Sequence, residues 1–255
     1  MSFSCIRIRK SHRVAWITLT RAESGNVITQ TMAQELREAC LQVNRDETIN
    51  AVVITGAGKV FSVGKQLEAK QSRRQRKNNM PCSVAGAVAG IEKPVIAAIN
   101  GDAAGQGLEL ALACDIRLAG ENARFSFPGI KVGLMPTDGG TQRLPRLVGK
   151  AVALEMIFTG DTIDAGEALK IGLVSKIVPV KSLTAEVKTL AESIAAQAPI
   201  ALRYIKEAIN GGLDLTLEQG LRLEADLYYL IHTTVDRTEG IHAFMQKRRP
   251  LFKGQ

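Results

Sequence analysis

No stretch of the 255-residue chain approaches the roughly 20 consecutive apolar residues of a membrane-spanning helix, so no such span is expected. The opening MSFSCIRIRK carries charges where a secretory signal needs an apolar run. Cysteine is scarce and scattered. Cys5, Cys40, Cys82 and Cys114 show neither a metal-ligand spacing nor a C-x-x-C pair, which argues against a zinc site and a disulfide framework. Reduced thiols in the cytoplasm are the expectation. The three histidines, His12, His232 and His242, have no partner pattern for a triad or a metal, and Ser62 and Ser126 lack the G-x-S-x-G context of an activated serine. No ligand cluster implies a metal or a redox cofactor.

Acidic residues are too few to balance the basic ones, and the formal charge is +8. Lys and Arg cluster in RRQRKNN from Arg73 to Asn79 and in QKRRPLFK from Gln246 to Lys253. Neither cluster is interleaved with aromatic stacking residues or carried on a nucleic-acid motif, so nucleic acid is not an expected partner. A highly phosphorylated small molecule would use the same charge, as would a merely solvated surface.

What is present suits a globular protein. A hydrophobic fraction of 45% and a charged fraction of 23% are ordinary, and the length buries a core without covalent staples. Ile6 and Ile8 mark a short first strand, and RVAWITLT reads as a second, with Val14, Trp16 and the run from Ile17 to Leu19 turned inward. Met32, Leu36, Ala39, Cys40 and Val43 recur at helical steps behind Thr29 or Thr31 as a cap. AVVITG, PVIAAING, ACDIRLAG and GLVSKIVP are short continuous apolar runs of the kind that form strands buried on both faces. Helical segments lie between them, which predicts an α/β fold with mostly parallel pairing. From Leu183 onward only helical patterns remain, punctuated by Pro199 and the Gly211-Gly212 pair.

Three segments could carry chemistry. In GKVFSVGKQLE, Gly64 can take a backbone geometry closed to other residues and expose the following N–H. In INGDAAGQGLELALACD a strand ends at Asn100-Gly101, small residues let the backbone pass close to a ligand, and a helix begins near Gly105. The first amides of that helix lack intrahelical partners and suit an oxyanion, with Gln106 well placed. Glu109 lies one turn further among Leu108, Leu110, Ala111 and Leu112. Either it is a poorly solvated carboxylate useful for proton transfer, or it merely favours the helix N-terminus or faces solvent. In FSFPGIKVGLMPTDGGTQRLPRLVG, Asp138 precedes a helix and either caps it or joins the chemistry.

Taken in order, LTRAESGNVI, AVVITGAGKVFSVGKQL, KPVIAAINGDAAGQGLELALACDIRLA, GGTQRLPRLVG and EGIHAFMQKRRPLF resemble the enoyl-CoA hydratase/isomerase (crotonase) superfamily over almost the whole chain. The resemblance implies a spiral of ββα turns over residues 1–195 and a helical oligomerisation (trimerisation) domain over 196–255, assembled as a homotrimer or a dimer of trimers. It implies an acyl-CoA thioester as substrate, with coenzyme A as part of the substrate and no separate cofactor. An oxyanion hole would come from the amides of Lys65 and Gln106, and Glu109 falls on the first of two catalytic glutamates. Ser62, Lys65, Gln66 and Leu67 fall on the CoA-lining loop. Phe244 and Lys247 fall where the family contacts the adenine and phosphates from an adjacent subunit.

The departures bear on the reaction. Gly129 stands where the second glutamate should follow Pro128, so two-carboxylate activation of water is incomplete. Thr137 stands where several relatives place an aspartate, with Asp138 one step on as a candidate catalytic group. Glu23 and Glu68 replace two lysines that often meet CoA phosphates, leaving Lys65, Lys70 or the Arg73 to Lys77 run as substitutes. The expected activity is double-bond isomerisation or hydration of an enoyl-CoA through Glu109. The alternatives are thioester hydrolysis or another crotonase-type reaction, and an acyl-CoA-binding family member without catalysis.

Overall fold

A computed structural model describes residues 3–65 and 83–255. Strands β1 (Ile6–Ser11) and β2 (Val14–Leu19) form an antiparallel hairpin. His12 and Arg13 both take positive φ at its turn, the geometry that matches the twist of the flanking strands. Helix α1 (Gln30–Arg45) follows, and of the two candidate caps Thr29 is the one used, accepting the Met32 amide at 3.2 Å. Then come β3 (Ala51–Gly56), α2 (Ala85–Ala89), β4 (Val95–Ile99), β5 (Ala103–Ala104) and α3 (Gln106–Leu112). Next are β6 (Ile116–Gly120), β7 (Arg124–Ser126), α4 (Gly140–Val148) and α5 (Lys150–Thr159). The chain continues through β8 (Ile163–Asp164), α6 (Ala165–Lys170), β9 (Lys176–Val178) and α7 (Val180–Ala195). It closes with α8 (Pro199–Gly212), α9 (Leu217–Ile231) and α10 (Val235–Met245).

The main sheet has the order β1-β2-β3-β4-β6-β9 and is parallel from β2 to β9. A smaller sheet, β5-β7-β8, receives the strand that follows each of β4 and β6. The repeating unit is therefore strand, strand, helix: β4, β5, α3, then β6, β7, α4. The continuous apolar runs are explained by burial on both faces. Val52 and Ile54 of β3 pack toward α1, α2 and α3, whereas Ala51 and Val53 pack toward Leu183, Val187, Ala191 and Ala195 of α7. Trp16 lies on the α7 side and Ile17 and Leu19 on the other, so β2 serves both cores.

Candidate active site

The site grows from two loops at the ends of β3 and β4. Residues 57–65 and 100–107 run side by side, and the Phe61 and Ser62 amides each donate to the Asp102 carbonyl at 3.1 Å. The Ala104 amide returns a bond of 2.9 Å to the Ser62 carbonyl. Glycine makes this approach possible. A Cβ at Gly101 would stand 1.8 Å from the Lys59 carbonyl oxygen, and one at Gly107 2.2 Å from that of Ser62. One at Gly64, whose φ is +80°, would meet the Ala104 oxygen at 2.6 Å and the Gln106 nitrogen at 2.8 Å. At these three positions the small residue admits the other main chain, whereas a Cβ at Gly105 would meet nothing within 4 Å.

The same contacts bring the Gly64-Lys65 turn against the first residue of α3. Lys65 is exposed and Gln106 half-buried. Ser62, expected to contact substrate, is fully buried instead. Its hydroxyl donates to the Asn26 carbonyl at 2.9 Å and accepts the Gly64 amide at 3.1 Å, so it braces the loop from inside. Asn26 completes the brace, its amide donating to the Ala57 and Val60 carbonyls at 3.0 and 2.8 Å. Gln66 and Leu67 lie outside the described residues, as do Glu68, Lys70 and the Arg73 to Lys77 run.

Glu109 does not face solvent. It is 2% exposed, on the face of α3 that its apolar neighbours bury. Its Oε1 accepts the Asp138 amide at 2.7 Å and the Gly140 amide at 2.8 Å. Both bonds fall on Oε1, and the Thr137 amide adds a further one to the carboxylate. The Gly139-Gly140 pair is what brings these amides in. Gly139 sits at φ +101°, and a Cβ at Gly140 would press to 3.1 Å from Glu109 Oε1 and 3.0 Å from Phe127 Cε1. Burial pushes the Glu109 carboxyl above the usual carboxylate range, the amides of Gly140 and Asp138 pull it back, and the Asp138 charge pushes it up again.

Asp138 does not cap the helix it precedes, because α4 is capped by Gly139 without a side-chain bond. It reaches instead to the first turn of α2. Ser83 Oγ donates to its Oδ1 at 2.5 Å, and the Val84 and Ala85 amides donate to its Oδ2 at 2.8 and 3.0 Å. Gln106 Nε2 adds a fourth bond of 3.1 Å. The carboxylate expected as a candidate catalytic group is thus anchored by four donors, three of them on Oδ2. Gly129 sits in a 3-10 turn, Pro128–Val132, where a Cβ would meet nothing nearer than Leu134 Cβ at 3.4 Å. Phe244 and Lys247 lie at the end of α10, which supplies none of the bonds around Glu109, and the Phe244 ring is exposed.

Sequence reasoning missed Ser83 and Asn26 as organisers of the site. Asn26 bonds to peptide carbonyls, which leave no residue-type signature, and Ser83 bonds to the Asp138 carboxylate from 55 residues away; the double glycine at 139 and 140 was the visible hint. Among the described residues no group of three or more His, Cys, Asp or Glu is arranged to hold a metal ion.

The profile of the enoyl-CoA hydratase/isomerase family matches residues 9–255. The chain belongs to that family. It is 41% identical over 248 residues to the mitochondrial enoyl-CoA hydratase of Pongo abelii, covering 96% of this chain and 86% of that protein. Against crotonyl-CoA hydratase of Syntrophomonas wolfei it is 37% identical over 257 residues, covering 99% of each. The crystal structure of an enoyl-CoA hydratase from Bacillus anthracis superposes with a TM-score of 0.96 at 38% identity, over 99% of this chain and 100% of that one. This member of the enoyl-CoA hydratase/isomerase family is accordingly an enzyme of that type, built on the crotonase fold.

Proposed function

We propose that the enzyme moves a proton at the α carbon of an enoyl-CoA thioester, with Glu109 as the acid and base and the Lys65 and Gln106 amides as the oxyanion hole. The observation that carries this reading is the buried Glu109 carboxylate, moored through Oε1 and set one turn into the helix that Gln106 opens. With a 3-enoyl thioester, the ionised Glu109 takes a proton from the α carbon. The electron pair moves toward the thioester oxygen, where two amides meet the developing charge. The same proton returns at the γ carbon, the double bond shifts to the 2-position, and Glu109 is regenerated. Hydration of a 2-enoyl thioester is the weaker activity, because Gly129 offers no carboxylate to share the work of activating water and protonating carbon.

Substrate binding extends the proposal. The exposed Phe244 ring and Lys247 meet the CoA of a neighbouring subunit in a homotrimer or dimer of trimers, consistent with the basic character of residues 246–253. The test is spectrophotometric. Incubated with 3-enoyl-CoA, the pure protein should raise the absorbance of the conjugated thioester, and with 2-enoyl-CoA lower it more slowly. If neither panel turns over, or if Glu109→Gln leaves the rates untouched, the proposal is wrong. Thiol release in the same reactions would reassign the chemistry to hydrolysis.

A further inference from the structure

We propose that Asp138 is a positioning residue of this site, tying the amide that holds Glu109 to the first turn of α2 and to the Gln106 side chain. The inference rests on the reading of Glu109 as the acid and base. Asp138 is 5% exposed, and its polar atoms reach in separate directions. The amide donates to Glu109 Oε1, the carbonyl accepts Arg143 Nη1 at 2.9 Å, and the carboxylate takes the four donors from Ser83, Val84, Ala85 and Gln106. One residue thus ties α2, α3 and α4 to the Glu109 carboxylate.

The residue type matters. Only an ionised carboxylate is acceptor-only on both oxygens, so it alone satisfies four donors at once. Bonds to amides and a hydroxyl offset the cost of burying its charge without a cation. That charge has a second effect, because it disfavours the ionised form of Glu109 and makes it a stronger base. Few other charges bear on Glu109 among the described residues. α2 and β5 carry none, Arg143 of α4 sits on the Asp138 carbonyl, and Arg146 pairs with Asp214.

The full-length enzyme is assayed on whichever enoyl-CoA it turns over, across pH, as wild type, Asp138→Asn, Asp138→Ser and Glu109→Gln. Asp138→Asn is near in shape but uncharged. It should lower kcat about tenfold with KM changed less than about twofold. Removing the negative neighbour lowers the proton affinity of Glu109, so the carboxylate persists further into acid. The acid limb of kcat/KM should then move to lower pH. A merely structural role would cost stability and leave that limb in place. Asp138→Ser keeps a cap-length acceptor without the charge and should move the limb the same way. A limb fixed in whichever variant folds, beside an inactive Glu109→Gln, overturns the proposal and leaves the Glu109 reading standing. An active Glu109→Gln overturns both.

Discussion

Glu109 is held in a state that favours chemistry over stability. Its folded-state proton affinity lies above the unfolded value, so the neutral form stabilises the fold below the ordinary carboxylate range, and that contribution is lost as pH rises through the raised value. Glu109→Gln keeps an oxygen for the Asp138 and Gly140 amides while removing the buried charge. Turnover should fall by about 10²–10⁴. The thermal midpoint at pH 7 should rise by roughly 2–4 °C, corresponding to about 1 kcal/mol, with the gain fading toward about pH 4 as wild-type Glu109 protonates. Calorimetry at the two pH values checks the sign. Gly129 offers the complementary experiment. A Cβ at that position would meet nothing nearer than ordinary contact, so Gly129→Glu should fold and should increase hydration of 2-enoyl-CoA at least several-fold. An unchanged hydration rate in a well-folded variant would show that the missing carboxylate is not what limits water addition.

The elements were legible in proportion to their length and locality. β3, β4 and β6 announce themselves as apolar runs because both of their faces are buried, and α1 because its buried stripe repeats at helical steps. β5 and β8, at two residues each, and β7 at three are too short for any periodicity to register. The burial of Glu109 was one of two readings that its apolar flanks allowed, since a charge among leucines is a local anomaly. The bonds of Asp138 were not legible, because the helix they reach begins 53 residues away in the chain. The close seam between the two loops was likewise hidden: glycines are visible in sequence, but what they make room for is not. Gly107→Ala should expose that seam directly. Its methyl would enter the Ser62 backbone at 2.2 Å, so the variant should lose more than about 2 kcal/mol in urea unfolding and most of its turnover. Gly105→Ala is the control for space, since a Cβ there meets nothing within 4 Å, although its φ of +51° makes a smaller strain cost expected.

At the scale of the molecule, the helices after α7 contribute little to either core. Among their residues only Leu227, Asp236 and Ala243 are buried, whereas Leu213, Leu217, Phe244 and Met245 are each at least 68% exposed. Apolar surface of that kind needs a partner. Sedimentation equilibrium should therefore return three times the chain mass of 27.5 kDa, or six times it, and a monomer at micromolar concentration would contradict the proposed assembly. No helix among the described residues is long and apolar enough to cross a membrane.

The end of the chain is folded back with care. The Asp236 carboxylate accepts the Lys253 and Gly254 amides at 2.7 Å each, and Arg248 pairs with Glu239 at 2.6 Å. The basic segment is thus preset rather than loose.

The glycine seam has a practical corollary for anyone re-engineering this enzyme. Positions 64, 101 and 107 have no room for mutational drift, since any methyl there must displace a peptide group on the opposite loop. A library aimed at new acyl substrates should freeze those three codons and spend its diversity elsewhere, because a variant that opens the seam would forfeit the scaffold before it could gain a new specificity.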